Sequence, residues 1–120
     1  MRYLFVLNDP PYGTERSYNG LRHARALLKQ EHGDTEVQVR LFLLGDAALC
    51  AKAGQKVPQG YYNIAVMLGG VIRSGAEVGV CSTCMDARGI TDSELIEGAR
   101  RSSLDEMTAW TVWADKVLTF

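Results

Sequence analysis

The chain has 120 residues, of which 47% are apolar and 22% charged, and its formal net charge is −1. That length fits one domain burying roughly two-thirds of the surface its unfolded form exposes, with no need of a metal or disulfide to hold it. The balanced charge offers no footprint for nucleic acid or an acidic membrane face, and no apolar run approaches the roughly 20 residues of a membrane span.

Arg2 to Asn8 is an apolar, β-branched and aromatic run, the composition of a strand buried on both faces. Pro10, Pro11 and Gly13 then make a stiff loop. Thr14 is expected to cap a helix over Glu15–Glu31, in which Tyr18, Leu21, Ala24 and Leu28 recur at helical spacing before Gly33 stops it. Val37, Val39, Leu41 and Leu43 alternate along a second strand. Asp46 reads as the cap of a short helix, residues 47–53, where Cys50 is a packing residue on an alanine-rich face.

A longer helix is expected over about Tyr61–Arg73, with Leu68, Val71 and Ile72 as its apolar stripe. Its Gly69-Gly70 pair costs about 1 kcal/mol per glycine relative to alanine, so a close approach to a neighbouring element is the expected compensation. Residues 76–80 form a third strand. Thr91 with Glu94, and Ser103 with Glu106, make two capping-box patterns, the second opening a helix to about Ala114 that carries Trp110 and Trp113. Residues 96–101 are assigned to a short strand and 116–120 to a last one. Strands alternating with helices predict one α/β domain over residues 1–120, its sheet mainly parallel and covered on both faces. Chemistry in such sheets collects at the carboxyl ends of strands, after residues 8, 44 and 80.

The third of those ends carries Cys81-Ser-Thr-Cys84-Met-Asp-Ala-Arg88-Gly89, where reactive groups crowd together. Thiolate character rises at a helix start or beside a cation, so a helical turn after Cys81 with Arg88 at its end suits sulfur chemistry, although Asp86 is placed to pair with Arg88. Cys84, three residues on, shares a face with Cys81. Structural zinc needs four ligands, and only Cys50, His23 and His32 remain, at no recognised spacing, so neither metal nor other cofactor is expected. A thioredoxin-type dithiol sits nearer the start of its domain. Burial as two small hydrophobes is a third reading, and nucleophilic sulfur handling the favoured fourth. No phosphate-binding glycine signature is present. Three cysteines without an export signal predict a reducing, cytoplasmic setting.

Several stretches together carry a resemblance: Pro11-Tyr12-Gly13 with Glu15, residues 18–22, Phe42-Leu43-Leu44-Gly45-Asp46-Ala47, residues 54–63, the Cys81–Gly89 segment with its Ala-Arg-Gly ending, and residues 114–120. With these the chain resembles the DsrE/DsrF-like family over nearly its whole length. The resemblance implies a flavodoxin-like three-layer α/β/α sandwich of about five strands, assembled as homotrimers or homohexamers. It also implies traffic in sulfane sulfur between persulfide-donating and sulfur-accepting proteins. Cys81 falls on the acceptor position, with Cys84 as a resolving or second thiol and Arg88 as a supporting cation. Cys84 stands where TusD-like members commonly have alanine, which brings the chain closer to the two-cysteine, YchN-like branch. A dithiol redox protein and a non-catalytic oligomeric binding protein of that branch are the alternatives.

Overall fold

The computed structural model describes residues 1–120. Five strands form one all-parallel sheet: β1 Arg2–Leu7, β2 Gln38–Leu43, β3 Glu77–Cys81, β4 Ala99–Ser102 and β5 Lys116–Thr119. They lie in the order β4-β3-β2-β1-β5. The helices are α1 Arg16–Lys29, α2 Ile64–Arg73, α3 Ser82–Ala87 and α4 Leu104–Trp113, with a 3-10 stretch at Gly45–Ala51 and a single 3-10 turn at Asp92–Glu94.

That order follows from handedness. From β1 to β4 the chain steps one strand at a time in one direction, so right-handed crossovers leave α1, α2 and α3 on the same face. Only the connection from β4 back to β5 runs the other way, and it carries α4 across the opposite face. The layering is that of flavodoxin-like proteins, while the strand order differs from the 2-1-3-4-5 of flavodoxin itself. The reversal falls between β1 and β5, where Asn8 closes the gap by donating its backbone N–H and its side-chain amide to the Phe120 carbonyl, at 2.9 and 3.2 Å.

The alternation along the strands sorts the core into two clusters. Phe5, Leu7, Leu41, Leu43, Val78 and Val80 face α1, α2 and α3, where they meet Leu21, Ala24, Ile64, Leu68, Val71 and Met85 in a cluster of 19 buried residues. Leu4, Val6, Phe42 and Cys81 face α4 and meet Trp110 in a cluster of five. On that second face Arg40 lies 4.0 Å from the Trp113 ring centre and pairs with Glu77, which also holds Arg100.

Local expectations are met unevenly. The Asp92–Glu94 turn has the full capping box with Thr91. Ser103 caps α4 by accepting from the Glu106 N–H, but the Glu106 carboxylate turns to Arg100 and Ser102 rather than back to the cap. Thr14 does not cap α1; Glu15 holds that position, and the Thr14 hydroxyl bonds Asp9 and accepts from the Arg16 N–H. Asp46 caps nothing, because Leu44 precedes the 3-10 stretch in an extended conformation. Gly69 and Gly70 make no close approach to another element. A side chain there would meet only the Arg73 guanidinium, which folds back along the helix.

Candidate functional site

β3 is an interior strand, paired with β2 on one side and β4 on the other, and its last residue is Cys81, in register with Ser102. Gly79, two residues earlier on the same face, is small for a packing reason. A Cβ there would stand 3.1 Å from the Ser102 Cβ and 3.3 Å from the Phe42 ring. The chain then turns directly into α3, with Cys81 as its N-cap residue. The Cys81 sulfur accepts from the Cys84 N–H at 3.3 Å, and the Thr83 hydroxyl stands 3.4 Å away. Cys84, one helical turn on, is joined to Cys81 in a disulfide, with Cα atoms 5.2 Å apart. The segment therefore places the two thiols together as their spacing predicts.

Cys81 is 9% exposed, and what it sees is a cleft. This hollow, about 520 Å³, is floored by Phe42, Leu44 and the two cysteines and walled by Ser103, Leu104 and Asp105 at the start of α4. Leu104 stands at its rim, 69% exposed. No lysine or arginine lines the cleft.

The cation expected beside the sulfurs is engaged elsewhere. Arg88 donates to the Asp46 carboxylate at 2.7 and 3.0 Å and to the Cys84 carbonyl at 3.0 Å. It thus ties α3 to the 3-10 stretch after β2. Its partner is Asp46, and not the neighbouring Asp86, because Asp86 is taken by Arg101 at 3.0 Å. Arg101 reaches over from β4, also holding Asp92 and donating to the Ser82 carbonyl. Arg88 at its own C-terminal end and Arg101 from β4 thus hold a helix of only six residues. Sequence reasoning read Asp46 as a helix cap and passed over Thr83 and Arg101. The Arg100-Arg101 pair at a strand end was the one local signal for the last, and Asp46 acquires its partner from 42 residues away.

The third cysteine is separate. Cys50 is fully buried beneath the loop after β1, its sulfur 3.9 Å from the Asp9 carbonyl, and burial pushes its thiol up to about 12. It stays protonated and inert at neutral pH. No three His, Cys, Asp or Glu side chains converge in a way that would hold a metal ion.

A three-layer α/β domain with a vicinal dithiol at the end of an interior parallel strand is the class that fold and site define. The chain belongs to the DsrE/DsrF-like family, whose sequence pattern matches residues 1–120. It is 43% identical to Protein YchN of Escherichia coli K12 over 119 residues, covering 99% of this chain and 98% of that one. It is 34% identical to MJ0989 of Methanocaldococcus jannaschii over 120 residues, the full length of both. The crystal structure of E. coli YchN superimposes with a TM-score of 0.90 at 42% identity, over 99% of this chain and 98% of that one. MTH1491 of Methanobacterium thermoautotrophicum shares the fold, with a TM-score of 0.76 at 12% identity over the same shares of the two chains. Membership of the family points to a role related to sulfur relay and, in general terms, to interactions with sulfur-relay proteins. No helix is long and apolar enough to cross a membrane.

Proposed function

We propose that the protein is an intracellular sulfur carrier that accepts sulfane sulfur on Cys81. The observation that carries this reading is the pair of donors at one sulfur: the Cys84 N–H and the Thr83 hydroxyl both lie within 3.4 Å of Cys81 Sγ, at the floor of an open cleft. Donors placed there stabilise an anionic thiolate or persulfide without an added cation. The Cys81 thiolate attacks the outer sulfur of a donor persulfide, R–S–SH. The new bond gives Cys81–S–SH, and R–S⁻ leaves with the electron pair of the broken S–S bond. Cys84, as thiolate, then has two routes. Attack on the outer sulfur moves it to Cys84 and regenerates the Cys81 thiolate; attack on the inner sulfur expels HS⁻ and leaves the Cys81–Cys84 disulfide. The second route ends in the bond present in the structure, and a dithiol reductant resets it. In this reading Arg88 is a positioning residue, holding α3 and its Cys84 carbonyl through Asp46.

The family resemblance supports assembly as a homotrimer or homohexamer in a reducing cytoplasm. The exposed apolar side chains of α4, Leu104 and Val112 at 69% and 83%, also support assembly.

Intact-mass analysis of the reduced protein after exposure to a persulfide donor tests the acceptor. Wild type gains one sulfur atom per chain, Cys81→Ser gains none, and Cys84→Ser keeps the sulfur longer than wild type. A wild type that gains nothing, or a Cys81→Ser variant that loads equally, removes the assignment. Thr83→Val is expected to slow alkylation of Cys81 at neutral pH and Thr83→Ser to restore it. The disulfide also suits a second reading, a dithiol redox protein, which predicts reversible thiol–disulfide cycling with no sulfur gain in the same spectra.

A further inference from the structure

The face of the sheet away from Cys81 carries a second feature that the sulfur chemistry does not use. Between α1 and α2 lies a groove of about 380 Å³. Arg25 of α1 and Arg73 of α2 both line it, and no acidic residue does. Of the seven other arginines, six pair with carboxylates, namely Arg2, Arg16, Arg40, Arg88, Arg100 and Arg101, while Arg22 bonds the Asn19 side chain. Arg25 is half-buried, yet its one side-chain hydrogen bond goes to the Met67 thioether at 4.0 Å. Neither guanidinium has a carboxylate partner, and the donors that the chain leaves free stay open to solvent and to an anion arriving from it.

The rest of the lining is aromatic. Tyr18 and Tyr62 stack with ring centres 4.2 Å apart, and Tyr61 stands 72% exposed beside them. Gly70 opens the floor, since a Cβ there would meet nothing nearer than Arg73 Nη2 at 3.9 Å. Internal packing therefore does not require this glycine in mid-helix, where it costs about 1 kcal/mol relative to alanine. Two guanidinium forks facing one hollow match a doubly charged oxyanion, and tyrosine rings match a flat group attached to it.

We propose that this groove binds a phosphate monoester carried on a planar, stackable group, a mononucleotide being its simplest form. Arg25 and Arg73 hold the phosphate, and the tyrosines hold the ring. The site is independent of the sulfur-carrier reading, lying on the opposite side of the sheet from Cys81.

Isothermal titration calorimetry on the intact, assembled protein tests this with adenosine 5′-monophosphate, inorganic phosphate and adenosine. The monophosphate is expected to saturate and to bind at least about tenfold more tightly than adenosine, with phosphate alone weaker than the ester. The Arg25→Gln/Arg73→Gln double variant is expected to lose at least about tenfold in affinity for the monophosphate, and the Arg25→Lys/Arg73→Lys variant to recover part of it. Equal binding of monophosphate and adenosine, or a double Gln variant that binds as wild type does, overturns the proposal. A double Gln variant whose native mass shifts also overturns it, because the two guanidinia would then be serving contacts between chains.

Discussion

The two faces of the sheet are built from different materials. Towards α1, α2 and α3 lies a cluster of 19 buried apolar residues in which Phe5 is the one aromatic side chain. Towards α4 the buried cluster has five members, and arginines, glutamates and two tryptophans fill the space between strand and helix. Hydrophobic burial scales with apolar area removed from water, so the first face carries most of the stability. The second trades part of that for an open cleft. A thiol needs solvent access to react, and the thin face is where Cys81 stands.

Damage to the thick face should have the largest effect on stability. Leu68→Ala, at a fully buried position, is expected to cost about 2–5 kcal/mol in urea unfolding while leaving the alkylation rate of Cys81 per folded molecule unchanged. On the thin face the order should reverse. Gly79→Val forces a side chain against Ser102 and Phe42, at a cost of roughly 1–3 kcal/mol, and its larger signature is an altered Cys81 alkylation rate, since Ser102 is the register partner of Cys81.

The third contrast is in pH. Burial raises the Cys50 thiol from an ordinary value of 9.0 to about 12. The folded chain therefore keeps a proton that the unfolded chain gives up, and the stability it contributes is present below the unfolded value and lost as pH climbs through the folded one. Urea midpoints are expected to fall as pH rises above about 9 towards about 12, and Cys50→Ala to flatten that slope. Maleimide labelling of the reduced native protein at neutral pH should reach Cys81 and Cys84 and spare Cys50. The smallest stability effect belongs to Arg88→Ala. Its pair with the half-exposed Asp46 is worth about 0.2–1 kcal/mol, but releasing α3 should change the Cys84 alkylation rate by more than that figure suggests.

What the sequence made legible was whatever depends on local pattern. The apolar run of β1, the alternation in β2, the Thr91–Glu94 box and the closing strand are readable because each is set within a few residues. The Cys81–Cys84 spacing likewise fixes the site, since one helical turn decides it. Long-range partners were not legible. Arg88 turns to Asp46 rather than Asp86 only because the 3-10 stretch after β2 lies against α3, which is a matter of strand order. The same applies to Gly69-Gly70, whose cost pointed inward from sequence and is spent outward in the structure. Thr14 missed its cap for a simpler reason, as Asp9 and Arg16 both take its hydroxyl.

The pairing of β3 on both sides makes the two thiols mechanically unequal. Cys81 is the last rung of a ladder held left and right by β2 and β4, and it has little room to travel. Cys84 rides on six helical residues that end at Ala87, and two positions on, Gly89, with a φ of 66°, marks a sharp break in the chain. Making or breaking the bond between them must therefore be done by swinging Cys84 towards a fixed Cys81, with Arg88 and Arg101 as the stays that limit the arc. Amide hydrogen exchange compared between the oxidised and reduced forms should register that motion at residues 83–88 and leave Val80 and Cys81 still.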